Sequence, residues 1–516
     1  MRATTLLLAL AVSFVCSAGA QTSLSSTNVR SLSLEDSIRM ALEKNLDLQI
    51  ARVEVRGARA ALLQVSGVYD PVFQSQANYS QSTEAGQFDI NTGLREPPGD
   101  RSTHLVSSGI AGALPWGLQY DVGADLNYFT REALEVVVVG TNAFGQPITR
   151  VVRSRPGQYT LDTGVVLTQP LLRGFWTDSA RTEIKVTKAE LRMSEFGLRN
   201  QVHTVVRDVM LAYYELIFAR EDVLAKEKAL ERGMRLAAEN KRKVEVGTMA
   251  PLDEKQAESA AATARADLIL ALQVLGTREN DLVRLITDNF EQWQGVRIVP
   301  PEGLVAVPQA YNLPGSWVSA LTYRPDFNQL KTELERQGFE VRLAHNELFP
   351  SLDIVGSYGR AGVDRRFSPT LDQVRREDLP RFSVGAVLSV PLGNRSARGR
   401  YAFTKSQRDS LELQVKKLHQ DILVQVENAI GDAQGSFQQV SATREASAAA
   451  QAAYEAEVKK LENGKSTSFN VLTLQRDFTD ARSREIRALA DYNRALAELY
   501  FNEGTILEKR RITIEK

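Results

Sequence analysis

The chain has 516 residues, with 63 Lys+Arg set against 63 Asp+Glu, and 43% of its residues are hydrophobic. Zero formal net charge removes the electrostatic case for a nucleic-acid partner. Glycine and proline, 33 and 17 residues, are too few for bulk disorder, and the length suits several cores or one very elongated assembly.

Residues 1–20 read as a secretory signal peptide. Arg2 supplies a positive start, residues 6–15 a short apolar core, and Ala18-Gly19-Ala20 a small-residue cleavage site. A lipoprotein reading through Cys16 fits less well, because Ser13-Phe14-Val15 is not a run of small residues. Once the signal is removed no cysteine remains, so neither disulfide nor thiolate chemistry is expected. No later segment is an uncharged apolar run of about 18 residues, so no spanning helix is expected.

The rest reads as one unit used twice. Gly247 and Gly464 are 217 positions apart, and Ala180/Ala397, Glu195/Glu412, Val209/Val426 and Leu282/Leu499 match at that same offset. Leu42/Leu321, Asp47/Asp326, Pro71/Pro350 and Tyr79/Tyr358 match at offset 279. Two sets in register indicate a duplication. The offsets differ by 62 residues, an insertion in the first half between Tyr79 and Ala180.

The first repeat, 21–300, holds a short helix 35–66, strands within 71–168, a long helix 180–245 and a return helix 252–290. A Pro-rich linker, 301–315, leads to the second repeat, 316–502, with a short helix 316–347, strands 351–390, a long helix 397–462 and a return helix 468–502. Residues 503–516 form a tail. From Leu411 to Val440 apolar residues step by three and four, averaging about 3.6, the period of an amphipathic helix. A helix over 180–245 would run roughly 100 Å. The alanine-rich stretch 445–457 suits close side-by-side packing, as in coiled coils. The short helices are expected to stack end to end beside the long ones.

The strands alternate. In 118–129, Leu118, Tyr120, Val122, Ala124, Leu126 and Tyr128 interleave with Gln119, Asp121, Gly123, Asp125 and Asn127. Segments of about ten residues with one apolar side suit a transmembrane barrel with a wet lumen; a soluble β-domain with one wet face fits the alternation equally. The signal peptide favours the barrel. The expected path runs out along 71–80 and back along 105–114, turns at 114–117, then runs out along 118–129 and back along 159–168. With 135–152 as an exposed hairpin, this predicts six strands per protomer.

The order of short helix, strand pair, long helix, glycine turn and return helix, used twice, together with "QPLLRGFWTDSAR" (169–181) and "VPLGNRSARGR" (390–400), resembles the TolC-type outer-membrane efflux proteins. The resemblance implies a mixed membrane protein: a trimeric outer-membrane β-barrel continued by a long periplasmic α-helical coiled-coil barrel. It implies a passive channel component of a tripartite efflux or secretion system, set in outer-membrane lipid. Its partners would be two further copies, a periplasmic adaptor (membrane fusion) protein and an inner-membrane transporter. No enzyme activity, cofactor or nucleic acid is implied. The family carries two strands per half, so the insertion is a departure. A structural coiled-coil protein of the envelope, without channel activity, is the alternative.

The stretch "ENGKSTSF" (462–469) invites comparison with a phosphate-binding loop. Such a loop needs an earlier glycine at position 459, which is Lys459, and a strand before it rather than a helix. Gly464 is instead expected to end a helix, and Ser466 to Ser468 to cap the next. Gly247, Thr248, Met249, Ala250 and Gly464, Lys465, Ser466, Thr467 then form two hairpin tips, small and mostly uncharged, that would dock the adaptor. Just past them, Asp253, Asn470 and Thr473 stand where acidic residues line the periplasmic mouth in the family; only Asp253 is acidic here. As a plain alternative, Asp253 is a first-turn carboxylate stabilising its helix. His104, His203, His345 and His419 show no metal-ligand spacing.

Overall fold

The computed structural model describes residues 28–85, 88–89, 94–95 and 98–512. The signal-peptide segment, with Cys16, lies outside them. In chain order the elements are β1 (Asn28–Ser31), α1 (Leu34–Lys44), α2 (Leu46–Ser66), β2 (Val72–Glu84), β3 (Phe88–Asp89), β4 (Leu94–Arg95) and β5 (Gly99–Ala113). Then come β6 (Gln119–Arg131), β7 (Ala133–Thr141), β8 (Pro147–Ser154), β9 (Gly157–Pro170), α3 (Ser179–Glu245), α4 (Pro251–Ile286) and β10 (Val296–Val299). The last are α5 (Leu313–Tyr323), α6 (Pro325–Asn346), β11 (Ser351–Asp364), α7 (Phe367–Arg376), β12 (Pro380–Ser389), α8 (Arg395–Glu462), α9 (Ser468–Asn502) and α10 (Ile506–Lys509). They fall into two compact units, to both of which α3, α8 and α9 contribute residues.

One unit contains the described residues among 46–207, 309–434 and 495–512. Its sheet has six strands in the order β12-β11-β9-β6-β5-β2, all antiparallel. Each pairs with the next ladder strand along the chain, as the sequence path predicts. The expected exposed hairpin is β7 with β8, closed by a turn at 142–146 in which the Gly145 N–H donates to the Asn142 carbonyl. The expected tight turn at 114–117 is closed by Gly117 N–H to Leu114 O at 2.8 Å.

Strand pleating sorts the side chains. One face carries Phe73, Tyr79, Val106, Ile110, Val122, Leu126, Val165, Phe382 and Val384, and the other Gln74, Gln76, Asn78, Asp121, Asp125, Asp162 and Asp353. On the polar face Gly109, Gly123, Gly164 and Gly359 lie side by side across four strands. A Cβ on Gly359 would stand 2.7 Å from the Thr163 carbonyl oxygen, and one on Gly164 2.9 Å from that of Tyr358. Glycine lets the backbones close up on that face, the device that curves a sheet.

The helical part of this unit is built on Ala320, Phe327, Ile422, Val426, Ala429, Ile430, Ala433 and Leu499. Ile422, Val426, Ala429 and Ala433 are members of the periodic series read in the sequence, so that period marks the core face. Arg324 corrects one expectation: 316–347 is two helices, not one. Pro325 disfavours a helical residue before it, and Arg324 is extended at ψ 122°. Its guanidinium is buried against Asp326, at 3.1 and 2.7 Å, and Gln425, at 2.8 Å. α7, between β11 and β12, is a further element that the sequence reading lacks.

The other unit contains residues 28–45, 208–308 and 435–494. The expected helix 35–66 is likewise two, α1 and α2, broken at Asn45. No proline explains this break; the Asn45 amide instead donates to the Leu285 carbonyl near the end of α4, at 2.9 Å. Asn45 and Arg324 are one offset of 279 apart, so both repeats break at the same place. The return helix stops at Ile286 rather than 290, and β10 then pairs in parallel with β1, another element absent from the sequence reading. Tyr213 is fully buried and donates to the Leu32 carbonyl at 3.2 Å.

Candidate functional site: the paired hairpin tips

α3 and α8 end the same way. Gly247 has φ 78° and Gly464 φ 68°, a left-handed conformation that costs glycine nothing. The Gly247 N–H donates to Val244 O at 2.9 Å and the Thr248 N–H to Lys243 O at 2.8 Å. One repeat later Gly464 donates to Leu461 O at 3.1 Å and Lys465 to Lys460 O at 2.8 Å. This double bond pattern satisfies the last carbonyls of each helix. Gly464-Lys465-Ser466-Thr467 thus leaves a helix rather than a strand, and it is a hairpin tip. A Cβ at either glycine would meet nothing within 4 Å, so only the backbone angle demands glycine there.

The starts of the return helices differ. α4 begins at Pro251, which needs no partner for a missing N–H, after Ala250. At α9 the Asn470 N–H reaches Thr467 Oγ1 at 3.5 Å, a long cap. Within the stretch expected to cap, Ser466 to Ser468, the cap is Thr467 and not Ser466. The Ser466 hydroxyl turns back to Glu457 at 2.5 Å, and Lys460 Nζ sits 3.0 Å from the same carboxylate. The Ser466 hydrogen bond, then Lys460, hold the Glu457 carboxyl below its usual range. Ser468 is buried and serves a different purpose.

That purpose joins the two tips. Asn240, fully buried on α3, donates from Nδ2 to Ser468 Oγ at 3.0 Å and to the Asp253 carbonyl at 3.2 Å. Met249 Sδ lies 4.0 Å from the same hydroxyl. One side chain therefore holds its own hairpin and the neighbouring one. Asn240 and Glu457 are 217 positions apart, so equivalent sites both brace the tips with different chemistry. Nothing in the local sequence around Asn240 signals this contact, which spans 228 positions.

Asp253 is half-buried in the first turn of α4, next to Glu254, with its N–H bonded to Ala250 O at 3.0 Å. Asn470 is exposed, and Thr473 is half-buried with its hydroxyl on Phe469 O at 2.9 Å. Beside them α4 and α9 border a cleft of about 540 Å³, floored by α3 and lined by Leu252, Ala260, Phe469, Leu472 and Thr473, among others. Leu252 and Phe469, again one offset apart, are large apolar side chains 66% and 59% exposed at its mouth. Small residues at the turns and large apolar side chains beside them leave this end of the hairpins uneven and partly apolar.

A sheet with one apolar and one polar face, duplicated helical hairpins and paired tips accord with a channel of the cell envelope. The chain belongs to the outer membrane efflux protein family, whose sequence pattern matches residues 149–287 and 317–505. It is 22% identical over 338 residues to the outer membrane efflux protein BepC of Brucella suis biovar 1 (strain 1330), covering 64% of this chain and 68% of that one. Its fold is similar to that of the outer-membrane channel OprN, at 19% identity and a TM-score of 0.65 over 92% of this chain and 90% of that one. It is similar also to the Campylobacter jejuni channel CmeC, at 15% identity, TM-score 0.64, covering 92% and 86%. The open-state Neisseria gonorrhoeae channel MtrE aligns at 17% identity, TM-score 0.61, covering 92% and 89%.

Proposed function

We propose that the protein is a passive trimeric conduit: the outer-membrane channel of a tripartite efflux or secretion system, with a barrel in the membrane and a helical tunnel in the periplasm. The observation that carries this reading is the six-stranded sheet. It is apolar on one face and polar on the other, and β2 and β12 each pair with a single described strand. A bilayer tolerates no open sheet edge. With an even strand count, β12 of one copy runs antiparallel to β2 of the next, so identical sheets can join edge to edge. Three sheets of six strands would close a wider wall than the four per chain that the family resemblance implies.

Exposed aromatics support the placement. Trp116 and Trp176 stand at the end of the sheet next to α3, 56% and 80% exposed. Tyr79, His104, Tyr128 and Tyr159 form a row toward the other end, with successive ring centroids 4.7, 5.9 and 4.4 Å apart. From Trp116 to Tyr128 a tilted strand rises roughly 30 Å, the span between two membrane interfaces. At the tips, the glycine turns and the cleft mouth at Leu252 and Phe469 would receive the hairpin of a periplasmic adaptor, which links the conduit to an inner-membrane transporter. Asp253 would stand at the periplasmic mouth as one of three symmetry-related carboxylates.

The test is fractionation followed by recording. The protein should sediment with outer membranes, need detergent to leave them, and conduct ions in planar bilayers. Recovery as a soluble periplasmic protein without conductance would replace the conduit with a structural coiled-coil role.

A further inference from the structure

α7 lies on the apolar face of the sheet. Gly362 is on that face, paired with Leu161, and a Cβ there would stand 2.1 Å from the Thr370 carbonyl oxygen of α7. Val374 packs over the same glycine, Leu161 is buried, and Phe367 meets Tyr159 edge-on at 6.0 Å. α7 therefore continues the aromatic row of Tyr79, His104, Tyr128 and Tyr159 on the face proposed to meet lipid. Its Thr370 and Val374 are buried against the sheet.

Its charges point elsewhere. Arg365 and Arg366 precede the helix and Arg375 and Arg376 close its last turn, all four exposed. None of the four makes an ion pair among the described residues. The neighbouring acids are partly engaged: Asp364 accepts the Arg366 backbone N–H at 2.9 Å, and Glu377 pairs with Arg360. Asp372 and Asp378 are left against the four arginines. The two arginine pairs are separated by roughly 13 Å of helix. A short helix with an apolar side seated at an aromatic row and guanidinium groups at both ends has the composition of an interfacial helix. Guanidinium forks match phosphate oxygens in pairs.

We propose that α7 is a lipid-headgroup clamp, binding the phosphate groups of anionic lipid at the outer rim of the wall through Arg365, Arg366, Arg375 and Arg376. The inference rests on the conduit reading, because it requires the apolar face to meet a bilayer. The channel would then choose its lipid neighbours, and the rim would be anchored by charge as well as by aromatic side chains.

The full-length protein in neutral detergent is titrated with phosphatidylglycerol, phosphatidylcholine or inorganic phosphate, with lipid retention counted by native mass spectrometry. Phosphatidylglycerol should be retained preferentially. Replacing all four arginines with glutamine should weaken that retention at least tenfold, since each basic group near an anionic surface contributes a several-fold factor. Replacing all four with lysine should keep a large part of it. Equal retention of the two lipids, or an unchanged four-glutamine variant, would overturn the clamp. So would displacement of phosphatidylglycerol by millimolar inorganic phosphate, which would mark a free-anion site. Planar-bilayer conductance of the same preparation separates the two proposals. If conductance persists without lipid preference, only the clamp fails; if conductance is absent, the conduit reading fails with it.

Discussion

The Asn240 side-chain amide donates to the Ser468 hydroxyl at 3.0 Å, between positions in different repeats, and both residues are fully buried. The second Asn240 bond, to the Asp253 carbonyl, ties in the first turn of α4. Asn240→Ala would leave the Ser468 hydroxyl with only the distant Met249 sulfur, at a cost of about 1–3 kcal/mol for a buried group left unpaired. The two tips should then separate more easily. The expected outcome is a lower unfolding temperature together with more frequent open events in planar-bilayer recordings. An unchanged Tm and unchanged gating would reduce Asn240 to a filler.

Gly464 is held by its backbone angle alone. Valine there must adopt φ near 68°, and left-handed backbone costs an L-residue roughly 1–2 kcal/mol. The turn should distort without harm to the helices behind it. Gly464→Val is expected to abolish export of a pump substrate while trimers still assemble on native gels. Normal export would remove tip docking from the account.

His203 gives a pH signature. It is 6% exposed, and burial lowers its pKa from 6.5 to about 4, with Asp326 opposing the shift and Arg199 adding to it. Below pH 6.5 the unfolded chain binds a proton that the folded chain refuses, so stability falls as pH drops from about 6.5 toward 4. The difference corresponds to about 3 kcal/mol at most. His203→Gln should flatten the dependence of Tm on pH across that window. A wild-type slope retained in the variant would place the titration elsewhere.

These residues differ in how far the sequence betrayed them. The long helices were legible because no proline interrupts them and because Ile422, Val426, Ala429 and Ala433 keep a strict helical period. Gly247 and Gly464 were legible because a glycine repeated at the end of a helical run marks a left-handed turn. The strand path was legible from alternation and from the tight turn at 114–117. The break at Asn45 was not, because its cause is a hydrogen bond to Leu285, 240 positions away. The break at Arg324 does carry a local signal, in Pro325. α7 is only ten residues long, too short for periodicity to separate it from loop. Within 466–468 residue type points to a cap, which Thr467 supplies, but it does not tell which hydroxyl serves: the partner of Ser466 is Glu457, nine positions back.

Asp253 offers a test at the proposed periplasmic mouth. If three copies bring it to the mouth of the conduit, the carboxylates should favour cations. Asp253→Asn is expected to lower the cation-to-anion permeability ratio measured from reversal potentials. If the ratio and block by multivalent cations stay as they were, the carboxylate acts only on its own helix, worth about 0.3–1 kcal/mol.

The central claim is that six strands from each copy join those of the next through β12 and β2. The direct measurement is intermolecular disulfide formation. Cysteines placed at Gln76 on β2 and, in separate variants, at Ser383, Gly385 or Val387 on β12 all lie on the polar face. Oxidised in native membranes, at least one pair should give a covalent trimer on non-reducing gels, and no single-cysteine variant should. If every pair yields only cross-linked monomer, each chain closes its own sheet, and the three-copy wall is contradicted.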